Sequence, residues 1–96
     1  MALLWQRTRK SVGNTADEVA DLIERFLTDR LKYPWEWDDF ISSSIPDARL
    51  DTIRAQSAAL PQRFPSAIST EYCGPEGFEV LKDLVRQLRA KSQNSM

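Results

Sequence analysis

The stretch Thr15-Ala16-Asp17-Glu18-Val19-Ala20-Asp21-Leu22-Ile23-Glu24-Arg25-Phe26-Leu27 decides the fold class of this chain. Thr15, with Glu18 three residues on, has the form of a capping box, in which hydroxyl and carboxylate satisfy the first free backbone N–H groups of a helix. Val19, Leu22, Ile23, Phe26 and Leu27 recur at three- and four-residue steps and so share one helical face, with Leu31 at its far margin. Asp17, Glu18, Asp21 and Glu24 crowd the first half, where negative charge complements the helix dipole, and Arg25 and Arg30 follow. An amphipathic helix is predicted to run from Thr15 to about Lys32, because Pro34 disfavours helical geometry at Tyr33.

Toward the C-terminus the pattern repeats twice. Ser44 with Asp47 forms a weaker capping box, and Pro46 in the first turn would cost no helical hydrogen bond. Leu50, Ile53, Ser57 and Leu60 give a narrow apolar stripe flanked by Ala55, Ala58 and Ala59, which Pro61 and Pro65 are expected to end. Gln62 to Glu71 reads as a loop with Phe64 and Ile68 turned inward; no alternation supports β pairing between Phe64 and Tyr72. Gly74-Pro75-Glu76-Gly77 starts a third helix, whose face is Phe78, Leu81, Leu84, Val85 and Leu88 and whose end carries Lys82, Arg86, Arg89 and Lys91. The fold class is therefore all-α: a small single-domain bundle of three amphipathic helices over residues 15–90. Residues 35–41 form either a short fourth helix or an irregular strap. Residues 91–96 are expected to be a frayed tail, and residues 1–14 a basic arm or a short extra helix.

A chain of 96 residues has room for one modest core and no cleft between domains. Its 42% hydrophobic and 28% charged residues are ordinary for a globular protein, and a net charge of -1 gives no whole-molecule attraction for nucleic acid or anionic lipid. The charge is uneven. Residues 1–14 hold Arg7, Arg9 and Lys10 and no acid, whereas Thr15 to Phe40 holds Asp17, Glu18, Asp21, Glu24, Asp29, Glu36, Asp38 and Asp39 against Arg25, Arg30 and Lys32. The single cysteine, Cys73, excludes an intramolecular disulfide and fits a reducing compartment. The apolar start Met1-Ala2-Leu3-Leu4-Trp5 precedes its basic residues, the reverse of a signal peptide, and is too short to span a membrane. A cytoplasmic location follows as the expectation. With no histidine, Ser-His-Asp and Cys-His catalysis, HExxH zinc sites and a histidine pH switch are excluded.

Chemistry concentrates in Pro34-Trp35-Glu36-Trp37-Asp38-Asp39-Phe40, where three large aromatics meet three carboxylates. Aromatics of this size fill cores or anchor partners, and adjacent acids resist burial, so the segment belongs at a boundary between interior and surface. In the structural reading at least two of Trp35, Trp37 and Phe40 plug the bundle, with the acids solvated or paired to Arg49 or Arg54. In the functional reading Trp37, flanked by Glu36 and Asp38, anchors a partner. The acids match no calcium loop, and a paired-carboxylate hydrolase would need Asp39 to meet Asp47 or Asp51 across a cleft. Cys73, just ahead of a helix start, is a candidate low-pKa thiol, although without a histidine base a buried packing role is favoured. Gly74 and Gly77 suit chain geometry better than a phosphate loop. The arm with Trp5, Arg7, Arg9 and Lys10 has too few charges for a nucleic-acid footprint. It is expected instead to pack Leu3, Leu4 and Trp5 onto the bundle or onto a second copy of the chain.

The strings Pro34 to Phe40 and Tyr72-Cys73-Gly74-Pro75-Glu76-Gly77, separated by a helix, resemble small bacterial proteins of about this length. The resemblance would span Thr15 to Arg89 and implies no particular activity. An acidic helical chain of 96 residues is also broadly similar to the colicin-type immunity proteins, which cap basic nucleases, but their tyrosine-pair motif is missing here. The expected function is a non-enzymatic protein-interaction module, docking an unidentified protein partner through Trp37, Glu36, Asp38, Asp39 and Trp35, with no catalytic residue, metal or cofactor assigned. The alternatives are an immunity- or antitoxin-like inhibitor of a basic enzyme, and a small carboxylate- or thiol-based enzyme or metal-binding protein.

Overall fold

A computed structural model describes the backbone of residues 15–94 and the side chains of residues 15–90; the expected arm, residues 1–14, and residues 95–96 lie outside that range. Four helices follow one another: α1 (Ala16–Leu27), α2 (Glu36–Ser42), α3 (Ala48–Arg63) and α4 (Pro75–Asn94), with no strand among the described residues. The chain is all-α, and the segment left open between strap and helix is helical. The helix α4 continues four residues into the stretch expected to be a frayed tail.

The capping box of α1 forms as read: the backbone N–H of Glu18 donates to Thr15 Oγ1 at 3.1 Å, and that of Thr15 to Glu18 Oε1 at 3.2 Å. The helix ends at Leu27, five residues before the limit set by Pro34. Asp29 adopts the left-handed conformation with φ of 58°, its N–H donates to the Phe26 carbonyl at 3.3 Å, and the Arg30 N–H reaches back to the Arg25 carbonyl at 2.7 Å. This is a Schellman motif, closed by an aspartate where glycine is usual. The Thr28 hydroxyl also donates to the Glu24 carbonyl at 2.8 Å, so local backbone chemistry stops the helix before the proline can.

The helices α1 and α4 form the most extensive pairing, and α3 packs on both α2 and α4. Val19, Ala20, Leu22 and Ile23 from α1 meet Leu81, Leu84, Val85 and Leu88 from α4 in one core, completed by Leu50 and Leu60 of α3 and by Trp37 and Phe40 of α2. Burying each large apolar side chain contributes about 1.5–3 kcal/mol. On the outer side of the main pair, the Arg89 guanidinium reaches Asp17, Asp21 and Glu24 of α1 at 3.2, 2.7 and 2.5 Å. Three acids spaced along one face of α1 are thus clamped by a single cation from α4.

Two expectations about α3 are corrected. Its N-cap is Asp47, whose Oδ1 accepts from the N–H groups of Arg49 at 2.9 Å and Leu50 at 3.1 Å, and Ser44 takes no part; Pro46 lies outside the helix. Pro61 does not end it: the helix runs on to Arg63. A proline at position 61 deprives the Ser57 carbonyl of its helical donor. The Tyr72 hydroxyl supplies the replacement, donating to that carbonyl at 2.7 Å, while the fully buried Ser57 hydroxyl donates to the Ile53 carbonyl at 2.9 Å. The polar groups exposed by the proline are therefore satisfied, and the helix tolerates it. In the loop that follows, Phe64 packs against the core as expected, whereas Ile68 is exposed and not turned inward.

Gly74 and Gly77 serve the return of the chain into α4. The Gly74 N–H donates to the Phe64 carbonyl at 2.6 Å, and a Cβ there would stand 3.1 Å from the Pro65 carbonyl oxygen. A Cβ at Gly77 would come within 2.5 Å of the Cys73 sulfur. The thiol fills the room left by the missing side chain, so the glycines fit chain geometry.

Candidate functional site

The segment from Lys32 to Phe40 divides its residues sharply. In α2, Glu36, Trp37 and Phe40 face the bundle and are buried, while Asp38 and Asp39 face solvent. The three- and one-residue steps between Glu36, Trp37 and Phe40 place them on one side of the helix, with the partly buried Ile41 beside Trp37 against the core.

Trp37 is only 4% exposed and is not a surface anchor, correcting the role first expected for it. Its indole stacks on Phe26 with centroids 3.9 Å apart and planes 6° from parallel, meets Tyr72 edge-on at 5.5 Å and tilts against Phe40 at 5.4 Å. Such ring pairs add about 0.5–1.5 kcal/mol each beyond the area they bury. The indole N–H has no hydrogen bond within normal distance. Burial raises the Tyr72 hydroxyl pKa, the proximity of the indole N–H offsets part of the rise, and the nearby Cys73 and Asp38 add to it.

Glu36, also expected at the partner surface, is 8% exposed and works inside the fold. Its Oε1 accepts from Arg25 Nη1 at 3.0 Å and from the backbone N–H groups of Lys32 at 2.7 Å and Tyr33 at 3.3 Å; its Oε2 accepts from the same Arg25 nitrogen at 3.2 Å. Burial pushes the carboxyl pKa up, but the Arg25 bond, the two backbone donors and the Arg25 charge outweigh it and hold the group below the ordinary carboxylate range. The expected partners Arg49 and Arg54 are not those used. Arg54 instead pairs with Asp51 at 2.8 Å and donates to the Ile41 carbonyl at 2.9 Å, while Asp51 also accepts the Ile45 N–H at 2.9 Å. Bonding to Arg54 and Ile45 lowers the Asp51 pKa, so this pair stitches α2 to α3.

What remains on the surface is a different aromatic pair. Trp35, the residue capping α2, is 58% exposed, and Tyr33 is 53% exposed; their rings stack with centroids 5.1 Å apart and planes within 7°. Asp38 and Asp39 follow within one turn, and neither forms an ion pair among the described residues. Tyr33 was not singled out from sequence; the available signal was Pro34, a turn former, and the Glu36 N–H closes a turn on the Tyr33 carbonyl at 3.1 Å that brings Tyr33 beside Trp35.

The other candidates are accounted for structurally. Among the described residues no three Asp, Glu or Cys side chains group as metal ligands would. Asp47 and Asp51, considered as catalytic partners for Asp39, are committed to capping α3 and to Arg54. Cys73 is fully buried, and burial followed by the charge of Glu71 raises its thiol pKa, opposite to what a nucleophile needs. A groove of about 510 Å³ lies between the start of α1, α3 and α4, with Ala16, Leu50, Ile53 and Leu88 among its lining, and shares no residue with the aromatic pair. No helix among the described residues is long and apolar enough to cross a membrane. In comparisons with known proteins, no family model, curated protein or solved structure matches the chain.

Proposed function

We propose that this protein is a non-enzymatic protein-interaction module whose docking surface is the stacked Tyr33–Trp35 pair with the flanking carboxylates Asp38 and Asp39. The observation that carries this reading is the exposure of two parallel, mutually stacked rings, while the other large aromatics among the described residues pack inward. Two rings already fixed against each other lose little conformational freedom on binding, and partly wet tryptophan and tyrosine are common anchors of interfaces. Glu36 supports the surface from below, because its bonds to the Lys32 and Tyr33 N–H groups hold the turn that carries both rings.

The test compares proteins captured from a lysate of the source cells by the wild type and by Trp35→Ala. A partner held by the first and released by the second, with unfolding midpoints unchanged, is the expected result; equal capture by both would sink the reading. The unpaired Asp38 and Asp39 also support the narrower reading of an inhibitor that caps a basic enzyme. That version requires association to weaken steeply between low and physiological salt.

A further inference from the structure

Beside the docking surface, where α1 gives way to its terminating turn, lies an open cavity of about 670 Å³. Its floor is aromatic: Phe26 meets Tyr72 edge-on at 5.4 Å and lies 6.4 Å from Phe78. Two carboxylates from separate parts of the chain line it as well, Asp29 from the Schellman turn and Glu71 from the loop before α4. Neither forms an ion pair among the described residues, although Arg25, Arg54 and Arg89 are all engaged. Asp38 stands within electrostatic reach of the Tyr72 hydroxyl, so a third negative charge acts on the same space.

We infer that this cavity receives an arginine side chain of the protein partner. The inference rests on the interaction reading above and names the chemistry of one of the partner's contacts. A cation is favoured over ring faces, and a guanidinium can lie flat on an aromatic floor while its edge donates to carboxylates. Among the described residues no three acid or thiol side chains group as metal ligands would, and the aromatic rings supply no oxygen ligand for a hard ion. An organic cation with an apolar face suits both halves of the lining.

The probe is N-acetyl-arginine amide, titrated into the isotope-labelled protein and followed by amide chemical shifts, with N-acetyl-citrulline amide as the neutral isostere. Shifts confined to Asp29, Glu71, Tyr72 and Phe78, saturating on the order of 1–10 mM as suits a single side chain, are expected. Citrulline should bind at least about tenfold more weakly, because it lacks the charge. Asp29→Asn, which keeps a residue that tolerates the left-handed backbone, and Glu71→Gln should each weaken the arginine response about three- to tenfold. Absence of localised shifts, an equal response to citrulline, or an undiminished response in both variants would overturn the site. Trp35 does not line the cavity, so the two readings fail separately. Partner loss in Trp35→Ala without an arginine response removes this inference alone, and an arginine response without partner loss removes the Tyr33–Trp35 surface alone.

Discussion

Trp35 and Trp37 stand two positions apart and do opposite things. Trp35 precedes the first turn of α2 and projects beside Tyr33, whereas Trp37 enters the core between Phe26, Phe40 and Tyr72. Trp37→Ala is expected to cost about 3–5 kcal/mol, the usual range for a large buried aromatic, while Trp35→Ala should stay within about 0.5 kcal/mol of wild type. Urea unfolding of the two variants checks this, and a Trp37→Ala loss below about 1 kcal/mol would contradict the packing described. The sequence showed that aromatics and acids met a boundary at this segment but not which residue faced which way. Seven residues are too few for a periodicity to fix a phase, and Glu36 looked like surface charge because its partner, Arg25, lies on another helix.

The short helix α2 is held at its start by the Glu36–Arg25 ion pair and toward its end by Arg54, which pairs with Asp51 and donates to the Ile41 carbonyl, and the two carboxylates make its docking sensitive to acid. The folded Glu36 pKa is depressed, so its stabilising contribution is complete above the ordinary carboxyl pKa of about 4.3 and disappears as pH falls through the lower folded value. Glu36→Gln should lose about 1–3 kcal/mol at neutral pH, with the gap to wild type closing in that acid window. Unfolding curves from pH 7 downward test the sign: a gap that widens on acidification would be wrong for this linkage. In α3 the bond from Tyr72 to the Ser57 carbonyl exists because Pro61 brings no N–H. Tyr72→Phe should therefore cost about 1 kcal/mol alone but less when combined with Pro61→Ala, whose amide can reclaim that carbonyl. Additive losses in the double variant would refute the exchange. Helices α1 and α4 were legible because their apolar faces repeat over several turns. The end of α3 runs past the proline that its local pattern marks as a stop, because a tyrosine fifteen residues from Ser57 compensates for the missing N–H. No local pattern announces such a partner.

At the scale of the whole molecule, negative charge among the described residues is neutralised along α1 and left unpaired elsewhere. Arg89 gathers Asp17, Asp21 and Glu24, and its bonds to Asp21 and Glu24 raise its already high pKa, so it remains cationic throughout the accessible pH range. Asp29, Asp38, Asp39 and Glu71 keep their charge unpaired among the described residues, on the turns and helix near the aromatic surfaces. Exposed pairs contribute little singly, so Arg89→Gln should lose about 1 kcal/mol at low salt and much less in 1 M sodium chloride. Thermal melts at both salt concentrations decide it; a loss independent of salt would assign Arg89 to packing instead. The chain's single cysteine carries a last consequence. Cys73 is sealed against Gly77 beneath the loop that Tyr72 ties to α3, so an alkylating reagent can reach it only after that loop has lifted from the bundle. Labelling therefore measures how often that loop stands open and, at reagent concentrations where alkylation outpaces reclosing, becomes a clock for the rate at which it lifts.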